Sequence, residues 1–121
     1  MVTIKPEWIN VGANEEMVSF AEDCGKKLVD GNLTNSKIRS IYGEIKRIQG
    51  VKNFEKSKSS FYLLKPKVAY AQGREPQNNG LKLFKEIFDG ASKLVNNDKT
   101  YENFCNLMEA ILAYHRAFGG K

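Results

Sequence analysis

DKTYENFCNLMEAILAYHRAF, residues 98–118, decides the fold. Tyr101, Phe104, Cys105, Leu107, Met108, Ile111, Leu112, Tyr114 and Phe118 recur there at helical spacing. Together they cover close to half of a helix circumference. A stripe that wide belongs to the most buried helix of a bundle. Ala110, Ala113 and Ala117 add a second stripe of small residues, which lets another helix approach closely. The helix is expected to start at Asp98 or Thr100 and to end at Gly119 and Gly120. A helix buried on so many sides needs neighbours, and the rest of the chain supplies them.

Working back from it, Leu81, Phe84, Ile87, Phe88, Ala91, Leu94 and Val95 mark a fourth helix, broken by Asn96 and Asn97. The loop EPQNN, residues 75–79, precedes it. A third helix is expected in SSFYLLKPKVAYAQGR, with Phe61, Leu64, Val68 and Ala71 on one face and Tyr62, Leu63 and Tyr70 roughly opposite. Apolar residues on two sides imply a central or shared helix. Pro66 predicts a kink there, or a break near Lys65. Residues 51–58, VKNFEKSK, read as a polar connection. The second helix carries Ile38, Ile41, Tyr42, Ile45 and Ile48 on one face, with Thr34 as its expected cap and Gly50 as its stop. The first runs from an Asn14 cap through Met17, Phe20, Ala21, Cys24 and Leu28 to Gly31 and Asn32. Residues 1–13 read as an irregular arm, tacked down by Trp8 and Ile9. The sum is an all-α, single-domain bundle of about five helices. Its 121 residues suffice for a core without staples.

Charge is not spread evenly over these helices. Residues 37–74 hold ten Lys and Arg against Glu44 and Glu55, a net +8. The remainder holds nine cations and twelve carboxylates, a net −3. A basic centre on a mildly acidic body predicts an anionic partner. At about 100° per residue, Arg39 and Lys46 fall within about 20° of each other, with Gly43 beside them and Arg47 nearly opposite the apolar stripe. Arg39, Gly43, Lys46 and Arg47 thus form an exposed rail, and Lys37 sits on the other shoulder. Lys65, Lys67 and Arg74 form a second basic element. Tyr42, Phe54, Phe61, Tyr62 and Tyr70 lie between these cations. Such material binds phosphate without reading sequence. The bland alternative is a set of solvated lysines on amphipathic helices.

The inventory for catalysis is thin. His115 is the single histidine, and it falls within the broad apolar stripe, as a packed core residue would. No second titratable partner stands at a spacing that supports a metal-free nuclease. There is no acidic cluster for two metals, no phosphate loop and no dinucleotide fingerprint. Cys24 and Cys105 lack zinc-ligand spacing and read as reduced, buried thiols. No cofactor or metal is expected. No apolar run reaches the ~20 residues of a membrane span, and the expected location is the cytoplasm.

LTNSKIRSIYGEIKRI, then LLKPKVAYAQGR, then FCNLMEAILAYHRAFGGK resemble, in that order, the small helical subunit of type III-A CRISPR (Csm) effector complexes. The resemblance covers nearly half of the chain. It implies a non-catalytic bundle that stacks in several copies beside the subunits holding the guide RNA. It implies contact with guide and target RNA through phosphate and sugar. Carried onto this chain, the family's basic positions match Lys37, Arg39, Lys46, Arg47, Lys65, Lys67 and Arg74. The competing expectation is a helical scaffold whose basic face docks acidic protein neighbours. A small ribonuclease built on His115 is the third and weakest reading.

Overall fold

The computed structural model describes residues 3–121. Seven helical segments and no strand are found among the described residues: α1 (Pro6–Asn10), α2 (Glu15–Asp30), α3 (Asn35–Val51), α4 (Phe54–Tyr62), α5 (Leu64–Arg74), α6 (Asn79–Ser92) and α7 (Asp98–Ala117). The all-α, single-domain expectation is borne out, with one contiguous core.

Polar side chains set the helix starts. Asn14, Asn53, Asn78 and Asn97 each accept a hydrogen bond from a first-turn backbone N–H, from Met17, Lys56, Leu81 and Thr100 respectively. Each satisfies a donor that a helix start leaves without a partner. Thr34 stands at the cap position of α3, yet its hydroxyl pairs with Ser36 Oγ instead.

Two boundaries differ from the expectation. The N-terminal arm is not wholly irregular: Pro6 opens the short helix α1, whose Trp8 and Ile9 are buried. Positions 1 and 2 of that arm lie outside the described residues. Proline suits a first turn because its missing N–H has no partner there to lose. Next, α3 runs past Gly50, and the left-handed turn falls on Lys52 at φ 58°. Asn53 then caps a helix where a connection was expected. Phe54 and Phe61 are buried and anchor it. The break expected near Lys65 is found, at Leu63 between α4 and α5. The Tyr62 carbonyl, which Pro66 cannot serve, thereby falls at the end of α4. Carbonyls without intrahelical partners are ordinary there.

α7 packs on α2 most extensively, and also on α1, α3 and α4. The α2–α7 crossing is close because Gly25 lacks a side chain; a Cβ there would lie 2.6 Å from Tyr114 Cβ. Phe84, Phe88 and Phe104 are fully buried. Phe104 meets the rings of Phe61 and Phe88 edge-on at 5.6 Å, and Tyr101 at 5.8 Å. That cluster fixes α4, α6 and α7 relative to one another. Tyr101 Oη also donates to the Ile45 carbonyl at 2.8 Å, which ties α7 to α3.

The second apolar side of the expected third helix is not central. Tyr62, Leu63 and Tyr70 are 57%, 60% and 68% exposed.

Candidate nucleic-acid interface

α3 lies between α5 and α7, so its two flanks open into two different grooves. The amphipathic pattern dictates this. Ile38, Ile41, Ile45 and Ile48 are buried, which turns Arg39, Gly43, Lys46 and Arg47 to solvent.

The first groove, of about 870 Å³, runs between α3 and α5. Lys37, Lys67 and Arg74 line it, together with the Ser36 and Ser40 hydroxyls. The fold thus brings one cation of the α3 motif onto the same surface as two of the α5 motif. Lys37 Nζ donates to both carboxylate oxygens of Glu75, at 2.5 and 2.7 Å. The Arg74 guanidinium lies 5.7 Å over the Tyr70 ring. The Arg47 hydrogen bond holds the Glu44 carboxyl below its usual range, and the Arg47 and Lys67 charges act in the same direction.

The second groove, of about 530 Å³, runs between α3 and α7. Arg39 lines it with Tyr42 and Gly43, and α7 contributes Glu109 and Arg116. Lys46 is exposed on the same flank of α3. Its charge works against the burial that raises the Cys105 thiol.

Lys65 stands apart. It lines a third groove with Tyr62, Phe88 and Lys93, away from Lys67 and Arg74. The second basic element of the sequence is therefore split between two surfaces. Among the described residues, Arg39, Lys46, Lys65, Lys67 and Arg74 form no ion pair, while Arg47 pairs with Glu44.

Sequence reasoning missed Ser36, Ser40, Glu75 and Arg116. A helical wheel places Ser36 and Ser40 about 40° apart and beside Lys37, so that signal was present. Nothing in the sequence said that α7 would bring Arg116 alongside Arg39.

His115 is fully buried, and its Nε2 donates to the Leu33 carbonyl at 2.8 Å. Gly120 packs against the ring so closely that a Cβ there would lie 2.4 Å from Nδ1. The histidine is packing material in the core. No group of three His, Cys, Asp or Glu among the described residues is placed to hold a metal ion. No helix among them is long and apolar enough to cross a membrane.

Fold and surface define a small all-helical protein with a concentrated cationic flank. A family model, Csm2 Type III-A, matches residues 12–121, and the chain belongs to that family. It is a small subunit of the type III-A Csm complex. No curated protein and no solved structure matches.

Proposed function

We propose that this subunit holds the guide and target RNA by their backbone, without catalysis and without reading sequence. The observation that carries the reading is the convergence of Lys37, Lys67 and Arg74 on one groove with two serine hydroxyls. Arg39, Lys46 and Arg47 continue the cationic surface around the exposed side of α3. Phosphate binding needs charge and hydrogen-bond donors, and it gives affinity that is indifferent to sequence. Guide pairing supplies the specificity. Several copies stack along the RNA in the cytoplasm, each presenting the same cationic flank.

A triple variant, Arg39→Ala, Lys46→Ala and Arg47→Ala, tests this in the assembled complex. RNA capture is expected to weaken. The slope of log affinity against log salt is expected to flatten by about 0.7 for each phosphate that the variant no longer neutralises. Unchanged affinity and slope would remove the rail from the interface.

A second reading has its own support. Tyr62 and Leu63 expose apolar surface at the α4–α5 break. Such surface suits a neighbouring protein subunit, and a stacking subunit needs both kinds of face. Crosslinking of labelled target RNA separates the two readings. Absence of any crosslink to residues 37–74 favours a pure scaffold.

A further inference from the structure

The α3–α5 groove already contains an anion, and it belongs to the chain itself. Both oxygens of Glu75 lie within hydrogen-bond distance of Lys37 Nζ, at 2.5 and 2.7 Å. The pair spans 38 residues of sequence. Its side chains are 26% and 44% exposed, so the pair lies at the surface of the groove with Lys37 the more covered partner. Backbone hydrogen bonds hold the main chain of Glu75 at the end of α5. Glu75 caps α5 with its N–H on the Gln72 carbonyl, and its own carbonyl accepts from Asn78 N at 2.9 Å. Ser36, Ser40, Lys67 and Arg74 supply the groove's other polar groups, set among Ile41, Pro66, Tyr70, Ala71 and Leu81. A carboxylate and a phosphodiester each present two anionic oxygens to a cation.

We propose that the α3–α5 groove is a phosphate-binding site whose resident occupant is the Glu75 carboxylate. Glu75 is then a specificity-determining residue. An RNA phosphate reaches Lys37 only by displacing it, so an isolated phosphate gains little there. A continuous backbone, which also engages Lys67 and Arg74, gains enough to open the pair. The inference rests on the RNA-backbone reading above and assigns one of its phosphate sites.

The test measures binding of a single-stranded oligouridylate to the full 121-residue chain at several salt concentrations. Glu75→Gln keeps the shape and removes the charge. It is expected to bind about two- to five-fold tighter, the range that release of one partly exposed ion pair allows. Its salt slope is expected to change by less than the ~0.7 of one phosphate, because the oligouridylate already reaches Lys37 in the wild type and the gain comes from the pair that no longer has to open. In a Lys37→Ala background the same substitution is expected to give no gain. Three results would overturn the proposal: no gain from Glu75→Gln, weaker binding, or an equal gain with and without Lys37, which would report net charge alone. Thermal unfolding of each variant shows that the fold is intact. Glu75→Ser replaces the glutamine variant if that one unfolds. RNA binding that ignores Glu75 but falls in the Arg39, Lys46 and Arg47 triple variant overturns this inference alone. RNA binding by no variant, the wild type included, overturns the functional reading with it.

Discussion

Burial pushes the Cys24 thiol up to about 11 and the Cys105 thiol up to about 12, because a thiolate loses its hydration in the core. Burial raises Tyr101 as well. A raised value in the fold means that the unfolded chain ionises first. The stability these groups contribute is therefore complete below about 9, where unfolded thiols begin to ionise. It is lost as pH rises through that point toward about 12. The urea midpoint is expected to fall between pH 8 and pH 11, and a Cys24→Ala, Cys105→Ala double variant is expected to fall less. The same burial predicts that neither thiol reacts with a colorimetric thiol reagent at pH 8 until denaturant is added. Rapid labelling of the native chain would contradict the packing at these two positions. His115 was legible at this scale, because its place in a wide apolar stripe marked it as core. Its hydrogen-bond partner was not, because Leu33 is 82 residues away.

Two glycines on neighbouring helices show what decides a substitution at the level of the element. Gly25 lies where α2 crosses α7. A Cβ there would stand 2.7 Å from His115 N and 2.8 Å from the Tyr114 carbonyl carbon. Those are backbone atoms, so the helices themselves must separate. Gly25→Ala is expected to cost about 1–3 kcal/mol in chemical unfolding. Gly43, in the middle of α3, has nothing within 4 Å of the same added atom. Gly43→Ala is expected to stabilise by about 0.5–1 kcal/mol, since it removes only backbone freedom from the unfolded chain. Opposite signs support the packing, and equal effects would contradict it. The sequence placed Gly43 on the exposed rail of α3 but gave no sign of what Gly25 faced. Helix existence was legible from periodicity, and so was the Asn14 cap, because two glutamates follow it. Asn97 was legible only as a breaker between helices; its capping of α7 depends on the Thr100 side chain folding back toward it. The α4 start was missed because Asn53 and Phe54 lie among lysines, and the mean polarity of VKNFEKSK hid a cap followed by an aromatic anchor.

Over the whole molecule, the fold sorts cations that stand together in the sequence. Lys67 and Arg74 share a groove with Lys37, while Lys65 shares another with Lys93. Two double variants therefore remove equal charge from different surfaces. Lys67→Ala with Arg74→Ala is expected to weaken RNA binding and to flatten the salt slope by about 1.4, the equivalent of two phosphates. Lys65→Ala with Lys93→Ala is expected to leave that slope nearly unchanged. Equal effects would mean that net charge, and no particular groove, carries the binding. The exposed Tyr62 and Leu63 lie beside Lys65 at the α4–α5 break, so this second surface suits protein neighbours better than RNA.

The sequence by itself determined that the chain is helical, that α7 needed neighbours on several sides, and that residues 37–74 carry the charge. Periodicity, capping chemistry and composition are local properties, and they are complete once the order of residues is known. Tertiary structure alone decided which flank of α3 meets α5 and which meets α7. It decided that Glu75 closes on Lys37, that Arg116 joins Arg39, and that Lys65 leaves its sequence neighbours. These facts depend on helix-to-helix packing across tens of residues. Such packing is set by how the buried faces of all the helices fit together, and no local pattern contains that information.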